Sequence, residues 1–416
     1  MKPSPHPNRP LLQLNLNSAL LLSADCGQPE FTPPGLVSVS LVQQPVLGPP
    51  HMHLLPPAAA HFVGDLSPAC DPAAYLQHVR SLYQWYCQHA AAATGSLASG
   101  GQSGQQQPPQ QLAWPPLVVN THGWVNGMGF DVLVEMLQGL PVTHCIQIAS
   151  SNAKKNLPPG CFWMPDGSDQ GQLSAPLLCW LLPPAPGAGQ HEQQQPQGSQ
   201  PAASETSHRS PGPAASEGGR SKAAPTAVEQ RSLQWLAFAQ QCVSNAMHGQ
   251  GAGGPAAADM GAALAATVPV EVDLADVGIQ VLHSAVPPSQ QAYALNGMVV
   301  GLCTAPAAAG KVQLAAAEAG GARSPAAPPS SLPCLGLGVV RAVDGRRGRV
   351  HVLTPVPEQA LERVTMLQVG RLELPAALLQ TASHLSPYLS LFSMSTMGTG
   401  SGAIKSRNNL LRQGQL

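Results

Sequence analysis

Two short stretches carry residue types able to do chemistry together. The first is Asp25-Cys-Gly-Gln28-Pro-Glu30-Phe-Thr32-Pro-Pro-Gly35. It follows Ala19–Ala24 (ALLLSA), a nearly continuous apolar run that suits a buried strand. An aspartate at the end of such a strand is how P-loop enzymes hold Mg²⁺ beside a triphosphate, directly or through water. Gln28 and Glu30 fall within reach of the same crevice. The plainer reading is a polar loop after a strand.

The second stretch is Asn120-Thr121-His122-Gly123-Trp124-Val125-Asn126-Gly127-Met128-Gly129. Its glycines let backbone N–H groups and a helix N-terminus approach an anion. Trp124 has the flat face on which a nucleobase stacks, a contact of about 1–3 kcal/mol. The competing reading is a tight turn whose tryptophan packs on the sheet.

The elements that must position these residues are legible around them. Pro116–Asn120 reads as a strand, Gly123–Gly129 as a turn, Phe130–Leu140 as an amphipathic helix and Thr143–Ala149 as a strand. Strand, turn, helix and strand in that order predict a βαβ unit and a parallel sheet flanked by helices. Ligands of such sheets bind at the carboxyl ends of the strands, where Asp25 and Asn120 stand. Leu36–Leu47 reads as a further strand. Asp71-Pro72 predicts the start of a helix, with Leu76, Val79, Tyr83, Tyr86 and Cys87 on one face. Thr226-Ala-Val-Glu229 is a capping box opening a helix through Met247, which Gly249 ends. Val268–Val272, Gly278–His283, Gly297–Cys303, Gly336–Val343 and Arg349–Leu353 are β-rich, with a hairpin turn at Asp344-Gly345.

Together these residues resemble the nucleolar polynucleotide 5′-hydroxyl kinases, relatives of the kinase subunit of the mRNA 3′-end cleavage factor. The resemblance rests on Asp25–Gly35, Val46–Pro50, Phe62–Asp71, Pro116–Gly129, Leu353–Pro357 and the tail Gly398–Arg412, in that order. It implies transfer of the ATP γ-phosphate to the 5′-hydroxyl of RNA or DNA in ribosomal RNA processing, with Mg²⁺. It implies a nuclear, nucleolar location and protein partners of an rRNA-processing complex. Carried over, Asp25 serves the metal, and Asp25 and Gln28 serve the phosphates and the attacking hydroxyl. Glu30, Thr32, Thr121, Gly123 and Trp124 hold the substrate, and Asn120 the nucleotide. Arg231 becomes the basic residue of a lid over the transferring phosphoryl group; alternatively it is a solvated helix-face charge.

One departure from that family is large. No G-x-x-x-x-G-K-S/T occurs in the 416 residues. Lys311 is followed by Val312, and Lys405-Ser406 is preceded by Ile404. Without the loop's N–H groups and lysine, phosphoryl transfer loses its main means of positioning and charge neutralisation. The expected fold class is therefore α/β, a P-loop-NTPase-like parallel sheet lacking its P-loop strand, with a small C-terminal β-rich domain. A sequence incomplete at its N-terminus, little kinase activity and poor stability are the accompanying expectations. A non-catalytic RNA-processing scaffold or RNA-binding pseudokinase is the alternative.

Composition bounds the rest. Only 10% of residues are charged, against about 25% in an ordinary globular domain. Gly (41) and Pro (44) concentrate in low-complexity stretches at 94–113, 183–225, 249–266 and 305–332. These read as disordered insertions too polar or too small to bury a core. The domains then run 1–18 disordered, 19–165 kinase-like core, 166–226 mostly disordered, 227–249 helix and lid region, 250–266 linker, 267–392 β-rich and 393–416 basic tail. A net charge of −1 confines any RNA contact to a local patch. The nine cysteines form no CxxC pair, which fits reduced thiols. His51, His53, His61 and Asp65 suggest a metal site only weakly, surface histidines being the default. No stretch of about 18 uninterrupted apolar residues predicts a membrane span. The tail cations Lys405, Arg407 and Arg412 either touch RNA phosphates or form an unstructured terminus.

Overall fold

The computed structural model describes residues 18–98, 114–148, 150, 152–158, 177–181, 225–247, 259–284, 286–305, 331–375 and 378. The N-terminal stretch, most of each low-complexity insertion and the basic tail lie outside these residues.

The first sheet has the strand order β3-β2-β1-β4, built from β1 (Ala19–Ser23), β2 (Leu36–Val42), β3 (Ala59–Phe62) and β4 (Leu117–Asn120). The α/β class stands, but the expected parallel sheet is mixed. Only β1 and β4 run parallel, from Leu20 opposite Leu117 to Ser23 opposite Asn120. β2 returns antiparallel to β1 because the connection Asp25–Gly35 is a tight loop, too short for the helical crossover that a parallel neighbour needs. The predicted βαβ unit also differs. β5 (His144–Ile148) leaves the first sheet and pairs in parallel with β6 (Leu177–Leu181). β6 lies inside the stretch read as mostly disordered, because an apolar LLCWL run interrupts the filler.

α1 (Pro72–Ala98) begins where Asp71 Oδ1 accepts the Ala74 N–H at 3.0 Å, as the Asp-Pro pair predicts. It covers β1 and β2 with Tyr75, Leu76, Val79 and Leu82. Its last residues run into the stretch read as an insertion. α2 (Met128–Gln138) buries Val132, Leu133 and Met136 in the same core. An exposed Arg80–Glu135 pair at 2.8 Å links the two helices.

The second sheet, of order β7-β11-β10-β9-β12-β8, contains β7 (Val270–Asp273), β8 (Gly278–Val281), β9 (Val299–Cys303), β10 (Cys334–Asp344), β11 (Arg349–Leu353) and β12 (Met366–Val369). β10 and β11 are the predicted hairpin, with Asp344 opposite Arg349.

α3 (Ala227–Met247) joins the two units. The capping box forms: Thr226 Oγ1 accepts the Glu229 N–H while Glu229 Oε2 accepts the Thr226 N–H at 2.7 Å. Trp235, Phe238, Ala239, Cys242 and Val243 sink into one cluster with Leu36 and Phe62 of the first sheet and Val299, Cys303 and Met366 of the second. A helix so buried between two sheets is a wedge of the core. Gly301 of β9 makes room for Phe62, whose ring would lie 2.6 Å from a Cβ there. α4 (Met260–Ala266) appears inside the stretch read as a linker. Asp259 caps it through the Ala262 N–H, and Leu264 is buried against the α3 cluster. An alanine-rich run with one cap and one apolar anchor needs no more.

Candidate active site

Because β1 and β4 are parallel, their carboxyl ends emerge at one edge of the sheet, and the two sequence stretches meet there. The Ala24 N–H still bonds the Asn120 carbonyl at 2.8 Å, carrying the ladder one step past β1. Asp25 is the next residue, half-buried. Its Oδ1 accepts the N–H groups of Gly27 (3.0 Å) and Gln28 (3.1 Å). The Asx turn thus fixes the carboxylate and leaves Oδ2 for another partner. Tyr75 of α1 donates its hydroxyl to the Ala24 carbonyl at 2.8 Å, holding the strand end from below. Burial pushes the Tyr75 phenol far above its usual range, so it stays a donor.

The loop after Asp25 is closed by the Gly35 N–H to the Cys26 carbonyl at 2.8 Å. Burial, reinforced by the Asp25 charge, raises the Cys26 thiol well above its normal range and keeps it neutral. Gly27 must be glycine because a Cβ would lie 2.5 Å from the Leu66 carbonyl oxygen. The segment 64–70 is therefore the wall facing the Asp25 turn. Gly35, at φ 97°, carries the same argument toward the second unit: a Cβ would lie 2.2 Å from Leu372 Cδ1.

The predicted site residues divide. Asp25, the exposed Gln28 and Asn120, and the half-buried Thr121 stand along one edge. Gly123 is exposed with open space around it, while Trp124 is half-buried and lies over Gly129. A Cβ on Gly129 would be 2.2 Å from the indole, so the tryptophan packs against its own turn with part of its surface open. Glu30 turns away to pair with His53 Nε2 at 2.8 Å. Thr32 is fully buried. His51, His53 and His61 do not converge on a metal: His61 bonds the Leu332 carbonyl and Ser81 instead. Arg231 is half-buried on α3. Three residues on, and so on the same helix face, Gln234 donates to the carbonyls of Pro29 (2.6 Å) and Thr32 (3.4 Å). That bond places the Arg231 face of α3 against the Asp25–Gly35 loop.

Residues that sequence reasoning missed complete the edge. His122 is 4% exposed, beside the Tyr75 ring at 5.9 Å, and neither ring nitrogen has a hydrogen-bond partner. Burial lowers its pKa more than the nearby Asp25 charge raises it, so it is held as neutral imidazole. Tyr75 and Gln234 were hidden because each acts on a backbone carbonyl, which leaves no mark in a motif.

An aspartate fixed at the carboxyl end of a parallel strand pair, beside a glycine-rich turn leading into a helix, fits the α/β fold of the P-loop kinase class. Comparison with known proteins makes this specific. Residues 10–161 match the family described as mRNA cleavage and polyadenylation factor CLP1 P-loop, and residues 265–375 match the NOL9-like C-terminal domain. The polynucleotide 5′-hydroxyl-kinase NOL9 of Arabidopsis thaliana is 30% identical over 89% of this chain and 81% of its own length. The Danio rerio protein of the same name is 28% identical over 94% of this chain and 48% of its own length. The chain thus spans most of the plant relative but about half of the vertebrate one. A solved Clp1p–Pcf11p complex aligns with 87% of this chain and 69% of its own, at 16% identity and a TM-score of 0.48. The chain belongs to the NOL9-like polynucleotide 5′-hydroxyl kinase family.

Proposed function

We propose that this chain carries the catalytic and polynucleotide-holding elements of a polynucleotide 5′-hydroxyl kinase. Such a kinase moves the γ-phosphate of ATP to the 5′-hydroxyl of RNA, with DNA as a second acceptor, in ribosomal RNA processing in the nucleolus. The observation that carries this reading is the fixed Asp25 carboxylate at the shared end of β1 and β4, in a chain of this family.

The donor set fits Mg²⁺. That ion keeps several waters and takes one or two carboxylates plus phosphate oxygens. Asp25 offers one carboxylate whose Oδ1 is already used by two N–H groups. Bound MgATP would supply the transferable phosphoryl group and neutralise its charge. Asp25 would hold the hydrated ion, and Gln28 would orient the acceptor hydroxyl. Trp124 and Thr121 would hold the terminal nucleotide, and Arg231 would face the phosphates from α3. No residue of this chain is assigned to the β- and γ-phosphate cradle, since no G-x-x-x-x-G-K-S/T occurs in it. Protein partners of an rRNA-processing complex belong to the same reading.

The second reading is a scaffold that binds RNA 5′ ends without chemistry. Mapping the 5′ end of the native transcript and assaying the protein it encodes beside the 416-residue chain separates the two. The kinase reading expects label from γ-labelled ATP on a 5′-hydroxyl oligonucleotide. It expects Asp25→Asn to abolish transfer, Trp124→Ala to weaken it, and the 416-residue chain alone to show little. RNA binding that ATP leaves unchanged, with no transfer by either protein, would establish the scaffold.

A further inference from the structure

His283 is the one non-glycine among the described residues with a positive φ, at 60°. A bulky residue keeps that backbone only where its surroundings over-determine it, and such residues gather at functional sites. Here the surroundings come from both units. His283 Nε2 donates to the Val63 carbonyl at 2.8 Å, and the His283 carbonyl accepts an Arg371 guanidinium N–H at 2.7 Å. The Arg371 main-chain N–H bonds the Gly64 carbonyl at 2.6 Å, and the Leu282 N–H bonds Val369 at 2.8 Å. The second sheet is thereby fastened to the start of segment 64–70, the wall that touches Gly27 in the Asp25 turn.

This fastening sets a cation, Arg371, beside that wall. Asp65 lies in that segment, next to Gly64, and its Oδ1 accepts the Ser67 N–H at 3.2 Å. Arg371 is exposed, and none of the ion pairs among the described residues includes it. One guanidinium NH₂ is held by the His283 carbonyl, so the fork has a fixed direction with donors to spare. A planar fork of fixed direction suits a phosphate better than a free lysine does.

We propose that Arg371 is a phosphate-contacting residue that the C-terminal sheet contributes to the Asp25 crevice, aimed by the His283 carbonyl. It rests on the kinase reading and deepens it. The contacted group is a phosphate oxygen, either of the polynucleotide backbone or of the nucleotide. His283 acts through Arg371 and is a positioning residue.

The test is fluorescence anisotropy on the full chain, with a 3′-labelled 5′-hydroxyl RNA decamer in one arm and a labelled ATP analogue in the other. Both arms are titrated across salt concentrations, with thermal melts of every variant. Arg371→Ala is expected to weaken one arm about tenfold, and Arg371→Lys to restore part of that loss. If the RNA arm responds, its salt slope falls by about one phosphate contact. Loss in the RNA arm assigns the polynucleotide phosphate; loss in the nucleotide arm assigns the nucleotide's. Wild-type binding that Arg371→Ala leaves unchanged in both arms overturns the proposal alone. A loss that tracks a collapsed melting temperature and that Arg371→Lys fails to restore overturns it too, as a structural tie. A wild-type chain that binds neither probe removes the kinase reading along with it.

Discussion

Gly64 and Gly370 cross backbone on backbone: a Cβ on Gly370 would lie 2.1 Å from the Gly64 carbonyl oxygen. Gly64 itself sits at φ 72°. At this point the second sheet meets the segment that walls the Asp25 turn. Neither partner is a flexible side chain, so an added methyl can be relieved only by separating the two units.

Gly370→Ala is therefore expected to destabilise the chain by about 2–4 kcal/mol, more than an ordinary overpacked core position. Denaturant midpoints of wild type and variant measure it. A variant that unfolds at the wild-type midpoint would show that the crossing is not this tight.

Phe62→Ala should be as damaging for the opposite reason. The ring is fully buried in the one cluster that draws on both sheets and α3. Its removal leaves a cavity against Gly301, which has no side chain to fill it, at a cost of about 3–5 kcal/mol. Leu47→Ala, at a residue 92% exposed, serves as control and should stay within about 0.5 kcal/mol. Equal losses from the two substitutions would contradict the shared core.

Much of this was legible from local chemistry. The Asp71 cap, the Thr226–Glu229 box and the Asp344 hairpin turn are each decided by residues a few positions apart, and each forms as read. Strand direction was not legible. Whether β2 runs with or against β1 depends on the length of the closed Asp25–Gly35 loop, which periodicity does not encode. β3 and β12 are four-residue strands, too short for an alternating pattern to stand out, and α4 was masked by the glycine and alanine around it. The Asp25 and Asn120 edge followed from motif and strand-end logic together. The residues fastened behind its wall, His283 and Arg371, come from the other end of the sequence and are single residues without a motif.

His122→Leu is expected to raise the melting temperature by a few degrees, about 1 kcal/mol. Two buried ring nitrogens without partners carry a desolvation cost that an apolar side chain of similar bulk removes. A drop in stability would mean that a polar partner absent from the described residues satisfies the ring.

The pH dependence of stability should be set in part by His61. Its ring is 4% exposed, bonds the Leu332 carbonyl through Nδ1 at 2.7 Å and Ser81 through Nε2 at 3.0 Å, and stacks on His78 at 5.1 Å. Burial lowers its folded-state pKa, and the Leu332 bond only partly opposes that. Above about pH 6.5, the usual histidine value, both folded and unfolded chains carry neutral imidazole and the stability is fully present. As pH falls through that value, the unfolded chain takes up a proton that the folded chain refuses. Stability then drops by up to about 1.4 kcal/mol per pH unit, until the lowered folded pKa is reached and the loss levels off. His122, lowered by burial as well, adds a loss of the same sign. His61→Gln keeps an N–H donor for Leu332 but cannot titrate. Urea midpoints at pH 7.5, 6.5 and 5.5 should therefore fall less steeply in the variant than in wild type. The variant starts lower at pH 7.5, where the imidazole bonds are intact, and the two curves converge toward acid. Parallel curves would show that the ring is solvated in the folded chain and does not lock β3 to the start of β10.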